Sequence, residues 1–466
     1  MDVAVAGAGG ADRGAIDRIL GLAAEVHAGE AVTALLLSLN GFLILMAYYV
    51  IRPLRSAFLL PVRIALPGGG VLRGPEIQSY SGAVLAVIFI FLVPLYSSLA
   101  SRMNRVRLIN GVTLFFASNL VLFFVLGRGG VSTGVLGVPF FLWIGIFNLV
   151  VVAQFWSFAN DVYSPEQGRR LFAIVGFGAS MGAIAGALVT SSLIVKLGLF
   201  QMMPISVGIL MLCLVLTNVV HHREHDRVAH TRAAREVEKP LGREGGFTLV
   251  LGQRYLLLIG LLTLASQLVN ANGNYILTAT LTQMARTAVA TGTAAGLSEG
   301  QIVGSYMAGT DFWQNVLVVI IQFFLVSRIF KYLGIGGSLF ILPILAFGSY
   351  GVMAGTPVLA LIRMVKVAEN ATDYSLQNTV RRALFLPTSR EAKYKALQAV
   401  ETFFWRAGDL LSAVATFVLV QSLGLGVRSY AVLNLFIIAA WILIARGLAT
   451  ENRELTAVAP GALVNS

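Results

Sequence analysis

Apolar runs of about 20 residues recur along the chain, separated by short polar turns, and this pattern predicts α-helices that cross a bilayer. Reading in windows of that length gives roughly twelve runs. They fall at 31–52, 80–99, 106–127, 137–160, 171–194, 197–220, 254–278, 305–328, 335–355, 357–377, 396–421 and 427–447. We number them segments 1 to 12. The longest polar stretch inside the chain, His221 to Gly246, is rich in Arg, His and Glu and separates segments 6 and 7. The expected organisation is an N-terminal interfacial segment 1–30, a six-helix half 31–220, a linker 221–253, a second six-helix half 254–448 and a tail 449–466. Before segment 1, Ile16, Ile19, Leu20, Ala23 and Ala24 fall at helical spacing, which predicts a short helix on the membrane interface.

The two halves echo each other. Ser101-Arg102 opens the basic turn after segment 2, and Ser327-Arg328 opens the one after segment 8. Segment 4 runs into the basic turn Ser164 to Arg170, and segment 10 into the longer Arg381 to Lys395. Polar groups interrupt segment 1 (Asn40, Arg52, Arg55) and segment 7 (Gln267 to Asn274), where the backbone is expected to loosen. The fold class is therefore all-α and polytopic, with the layout of a major-facilitator transporter, whose halves rock around a site at mid-membrane depth. Twelve helices of an unrelated fold are the alternative on these features alone. In segment 5, Gly178, Gly182 and Gly186 make a small-residue face that lets another helix approach closely.

Composition agrees. Of 466 residues 57% are hydrophobic and 12% charged, with a mean hydropathy of +0.80, so a lipid bilayer is the solvent and an obligatory partner. The net charge of +12 raises the question of nucleic acid, and the location of the charges answers it. Arg102, Arg105, Arg107, Arg169, Arg170, the Arg223 to Arg243 run, Arg328, Lys331 and the Arg381 to Lys395 run occupy alternate loops, whereas most of the other loops hold a single basic residue or none. Positive charge inside places both termini in the cytoplasm and leaves no nucleic-acid surface to explain. Cys213 is the only cysteine, which excludes internal disulfides, and the five histidines lie outside the segments, which argues against a metal site. No cleavable signal peptide is visible. Gly7, Gly9 and Gly10 open no Rossmann unit and no phosphate-loop motif occurs, so no enzyme site and no cofactor are expected.

Ionisable groups inside apolar segments are costly and mark function by default. In segment 10, Arg363, Lys366, Glu369 and Asp373 follow one another at spacings of three, three and four residues, which stacks them on one helical face. Two readings stay open for them: a self-neutralising ladder that ties helices together, or a face that meets solute or gates its passage. Segment 11 adds Glu401, Arg406 and Asp409, the two acids expected on a shared face. Arg52 and Arg55 are expected inside an extended first helix kinked at Pro53, with an outer loop as the alternative. Guanidinium groups suit phosphate or carboxylate, so the expected partner is a small anionic solute. Asn148 in segment 4 and Asn270 and Asn274 in segment 7 offer neutral donors and acceptors.

The chain resembles the ATP/ADP translocase family of bacterial and plastid nucleotide exchangers. The stretches that carry the likeness are Tyr48-Tyr49-Val50-Ile51-Arg52-Pro53-Leu54-Arg55, Phe155-Trp156-Ser157-Phe158, Ser164 to Arg170, and Asn270 to Leu277. In the second half they are Glu369-Asn370-Ala371-Thr372-Asp373-Tyr374-Ser375 and Pro387 to Lys395. The resemblance implies exchange of an anionic nucleotide across a bacterial inner membrane, ATP and ADP being the leading solutes. It also implies basic binding residues on helix 1 (Arg55) and near helix 11 (Lys395) and acidic ones on helices 4 and 7. The chain departs from that pattern with Ile144, Asn270, Asn274 and Leu397, all uncharged. The expected binding set is Arg52, Arg55, Asn148, Asn270, Asn274, Arg363, Lys366, Lys395 and Arg406, with Glu369, Asp373, Glu401 and Asp409 for coupling or gating. A proton-coupled exporter of another anion or amphiphile, and a non-transporting receptor on the same fold, are the alternatives. A monomer is compatible with each.

Overall fold

In the computed structural model, residues 27 and 30–462 are described, apart from 68–69, 164, 229–245, 357 and 390–391. The interfacial helix expected around Ile16 to Ala24 lies outside them. Ten helices among the described residues are long and apolar enough to cross a membrane. Two further helical runs, Ile341–Gly355 and the charged run through Leu359–Thr372 and Asn378–Ala383, complete a series that follows segments 1 to 12 in order. We call these runs spans 1 to 12.

Span 1 is Ala31–Ile51 followed by Leu54–Leu59, broken at Pro53, which has no N–H to give to the helix. Arg52 and Pro53 keep helical dihedrals, so both arginines stay on the helical path and not in an outer loop. A two-stranded hairpin, β1 (Arg63–Ala65) with β2 (Val71–Arg73), leads into span 2. Span 2 is Gly74–Arg102 and begins earlier than its apolar pattern, because Pro75 suits the first helical turn and Glu76 accepts from the Arg73 N–H at 2.9 Å. Spans 3 to 6 are Arg105–Arg128, Thr133–Val162, Pro165–Leu197 and Met202–Val228. Span 7 runs unbroken through Arg254–Ala290, so the loosened backbone expected at Gln267 to Asn274 is absent. Beyond residue 278 the threonine hydroxyls of Thr280, Thr282 and Thr287 bond back to carbonyls four residues earlier, which lets a polar sequence stay helical.

Span 8 joins Glu299–Ile320 to Val326–Ser338, with a Ser298–Gln301 capping box at its start. Span 9 is Ile341–Gly355, and span 10 is the run named above. Span 11 extends from Ala392 through Trp405–Thr416 to Ser422. Span 12 is Val427–Ala462, so much of the expected tail is the last turns of this helix. Wide π-type turns, each adding a residue to the α-helical register, fall at Ile321–Leu325, Asp373–Gln377, Ala392–Ala396, Val400–Phe404 and Phe417–Ser422. Among the described residues all of them lie after span 7.

Buried apolar side chains form two large clusters, one drawn from residues between Ala31 and Val220, the other from residues between Val250 and Leu448. In the first, spans 1 and 5 run parallel at close range. Ser38 donates to the Ile174 carbonyl at 3.0 Å and Thr190 to the Val50 carbonyl at 2.9 Å, at opposite ends of the pair. Between these bonds Gly178, Gly182 and Gly186 face the carbonyls of Ser38, Phe42 and Met46 so closely that any Cβ would collide with them. In lipid, helices gain little from hydrophobicity against each other, so this backbone-to-backbone fit is what holds the pair.

Gly182→Ala is therefore expected to destabilise the detergent-solubilised protein by about 1–3 kcal/mol or more. Gly208→Ala, in span 6 with open space around it, should be neutral or raise the melting temperature slightly. Equal melting temperatures for the two variants would contradict the close fit.

Candidate functional site

The charges of span 10 turn into the protein. Lys366 is 0% exposed, and Glu369 and Asp373 are 3% exposed each. Lys366 Nζ stands 3.3 Å from Glu369 Oε1 and donates to Asn270 of span 7, at the side-chain oxygen (3.0 Å) and at the carbonyl (3.1 Å). Gly273 makes this reach possible, since a Cβ there would lie 3.0 Å from Lys366 Nζ and would collide with the Tyr350 hydroxyl. Asn274, exposed, donates to Asn270 Oδ1 at 3.1 Å, and the Asn270 side chain also hydrogen-bonds Asp373. Asn270 therefore joins a buried cation to a buried carboxylate. Arg381, which the sequence reading assigned to a basic loop, is buried at the end of the same run with its guanidinium carbon 4.6 Å from the Trp405 ring centroid. Its charge acts on Asp373 and Glu401.

Arg363 departs from the expected face and instead lies over the Tyr306 ring of span 8, 4.6 Å from the centroid. Six residues of α-helix leave about 120° between Arg363 and Glu369, so a run of three-residue steps cannot hold one face for long. Among the described residues, several buried polar atoms beside the ladder have no hydrogen-bond partner: Glu369 Oε2, Asp373 Oδ1, Asn370 Oδ1 and both amide atoms of Gln377.

A second site joins the two halves. Arg52 of span 1 forms an ion pair with Asp311 of span 8 at 3.2 Å, their side chains 14% and 6% exposed. Arg55, one turn further, lies over the Phe141 ring at 5.5 Å, and its charge also acts on Asp311. Sequence reading missed Asp311, although it is the lone acid between residues 305 and 328 and the rule for intramembrane charges applies to it.

In span 11, Arg406 Nη1 stands 3.3 Å from Asp409 Oδ2, and Gln267 donates to Asp409 Oδ1 at 2.6 Å. The Arg406 guanidinium carbon lies 4.4 Å from the ring centroid of Phe89 in span 2. Glu401 does not join Asp409 as expected: it is exposed, whereas Arg406 and Gln267 hold Asp409 in a largely covered place. Asn148 is exposed on span 4 and belongs to none of these clusters. Lys395 lines a cavity of about 230 Å³ between Phe89, Ile90, Val93 and Pro94 of span 2 and Gln398, Thr402 and Phe403 of span 11.

That cavity lies toward the end of the bundle where span 1 begins. The opposite end is closed across the halves: Leu60 packs with Leu281, Ala285 and Val303, Ser79 hydrogen-bonds Thr416 at 3.0 Å, and Gln421 donates to Glu76. At the end that holds the cavity, just before span 1, Glu30 accepts two hydrogen bonds from Arg170 and one from Gln167, each 3.0 Å. Burial acts to raise the Glu30 pKa. The Arg170 hydrogen bonds, the His27 N–H, the Gln167 amide and the Arg170 charge together outweigh it and hold the carboxyl down at about 2.

The family model described as TLC ATP/ADP transporter matches residues 140–452. The "ADP,ATP carrier protein 1" of Chlamydia pneumoniae is 23% identical over 491 aligned positions, which cover 91% of this chain and 92% of that protein. Among solved structures, the nucleoside transporter NupG superposes with a TM-score of 0.60 at 14% identity, over 90% of this chain and 98% of that one. The POT family transporter PepTSo gives a TM-score of 0.60 at 12% identity, over 91% and 98%. At these identities the likeness is one of fold.

Two outcomes follow for stability. Lys366→Met leaves Glu369 buried without its cation and should cost about 3–5 kcal/mol, most of it recovered in Lys366→Met with Glu369→Leu. An equal loss in the double variant would contradict the pairing. For Glu30, the folded pKa of about 2 lies below the ordinary 4.5, so its stabilisation is complete above 4.5 and is lost as pH falls from there toward 2. Melting temperatures of the parent should drop relative to those of Glu30→Gln over that window, and parallel curves would show that Glu30 is not clasped.

Proposed function

The chain belongs to the TLC ATP/ADP transporter family, and from that premise we propose that it exchanges nucleoside di- and triphosphates across the bacterial inner membrane, with both termini in the cytoplasm. The observation that carries the reading is the pair of helix 1 arginines, Arg52 and Arg55, held at the interface of the two halves against one carboxylate, Asp311. Two guanidinium groups against one acid leave a net positive charge where a phosphate chain binds well, and guanidinium geometry suits two phosphate oxygens at once. The cavity beside Lys395 and Arg406 supports access from the end where span 1 begins, which the positive-inside distribution assigns to the cytoplasm. Lys366 offers a further cation, released to solute when rocking of the halves separates it from Glu369. On this reading the neutral Asn270 is compensated by Glu369 and Asp373, which bring the acids to span 7 from span 10.

A second reading has its own observation. Glu369 Oε2 and Asp373 Oδ1 are buried without hydrogen-bond partners, which is how a carboxyl that loads and unloads a proton would be kept. Proton-coupled movement of an organic anion is the alternative that follows.

Reconstituted vesicles loaded with ADP should take up labelled ATP, and Arg55→Gln, or the charge-balanced Lys366→Met with Glu369→Leu, should reduce that uptake by about tenfold or more while the protein still purifies normally. Unchanged uptake in both variants would remove these residues from the binding site. Accumulation in vesicles without counter-solute, abolished by a protonophore, would favour the proton-coupled reading. Tags at Arg235 and Ser466 should report cytoplasm and one at Gly69 periplasm; a periplasmic Arg235 would reverse the orientation.

A further inference from the structure

We propose that Asp311 is the specificity-determining residue of the helix 1 anion site: an internal carboxylate that a solute must displace to engage both arginines, and that therefore selects polyanions over monoanions. This deepens the anion-carrier reading and rests on it. Arg52 and Asp311 pair at 3.2 Å in a largely buried setting, and the Arg55 charge reaches the same carboxylate. Tyr48, Tyr49 and Tyr374 stand around Arg52 and bring no further charge. A monocarboxylate can meet only the one uncompensated charge, at Arg55, and leaves the Arg52–Asp311 pair in place; to take Arg52 as well it would have to break one guanidinium–carboxylate pair to make another. A diphosphate or triphosphate brings two or more charges and enough oxygens to engage Arg52 and Arg55 together, so it outcompetes the carboxylate it displaces.

The position of Asp311 gives the displacement a mechanical consequence. Arg52 lies on the first half and Asp311 on the second, and the pair stands next to the closed end, where Ala57 of span 1 meets Gly300 and Gly304 of span 8. With no solute the pair ties the halves together there. A polyanion on the arginines releases Asp311, and the closed end is freed to open. Net movement of the empty carrier would require both charges to part with no replacement, so exchange is favoured over one-way flow.

The test uses the full-length protein with Cys213 replaced by Ala and Ser79→Cys as a reporter of the closed end, where Ser79 hydrogen-bonds Thr416. In this parent a membrane-impermeant thiol reagent should label Cys slowly, inorganic pyrophosphate should raise the rate about fivefold or more, and acetate at equal ionic strength should not. Asp311→Asn should label fast with no anion present, and acetate should displace labelled pyrophosphate at a concentration about tenfold lower than in the parent. Asp311→Glu should behave as the parent. Arg52→Gln breaks the same pair from the other side; it should also label fast, with no response to pyrophosphate, and it carries the test if Asp311→Asn fails to fold. Parent-like labelling in whichever of the two variants purifies, or acetate displacement unchanged in Asp311→Asn, overturns the proposal. A parent that responds to pyrophosphate but does not exchange ATP for ADP would refute nucleotide exchange and leave the role of Asp311 standing.

Discussion

A charge inside a bilayer must find an opposite charge or water, because hydrocarbon offers it neither, and the interior of this protein is arranged around that constraint. Lys366 has Glu369 and the Asn270 amide, Arg381 has Asp373 and a tryptophan face, Arg406 has Asp409, and Arg52 has Asp311. Three of these arrangements lie within the second half. The Arg52–Asp311 pair alone among them spans both halves, so it is the one whose strength depends on how the halves are disposed. Structural pairing and transport are then not competing explanations for the same residues: a pair that is satisfied in one arrangement of the halves and broken in another is a means of moving between them.

The two halves are built differently for the task. The first is held by backbone-to-backbone contact between spans 1 and 5, where glycines bring carbonyls against helix surface, and by stacked aromatic rings such as Phe140, Trp143 and Phe147. The second buries more charge: Asp311, Lys366, Glu369, Asp373 and Arg381. The half carrying Arg52 and Arg55 thus faces a more highly charged half carrying the carboxylates. In the exchange proposed above, the arginines would meet the solute from the first half and the carboxylates from the second.

The fold was legible because lipid enforces a simple code: runs of apolar residues of the right length must be helices, and all the expected segments have helical counterparts in order. Segment 10 was legible in part for the same reason, since Lys366 and Glu369 are neighbours on a helix at three-residue spacing. What failed to show was anything that depends on a partner far along the chain. Asp311 has no charged neighbour within its own helix, and nothing in linear order links it to Arg52. Glu401 and Asp409 were misassigned because spacing along a helix does not say what covers each residue: Arg406 and Gln267 stand against Asp409, while Glu401 is exposed. Arg381 looked like a loop residue because two arginines in succession usually are, yet the Trp405 ring gives one of them a buried place.

The wide turns deserve a mechanical interpretation. Each holds one residue more than an α-helical turn, and such a surplus can pass along a helix by exchanging one carbonyl partner at a time, with no stage at which the helix must come apart. Its passage rotates every side chain it crosses by roughly a quarter of a turn or a little more. Asp373 and Glu401 sit inside such turns. The direction in which each of these carboxylates leaves its helix is therefore set by where the extra residue sits, and a one-residue change in that place would re-aim it without any change in the tilt of the span.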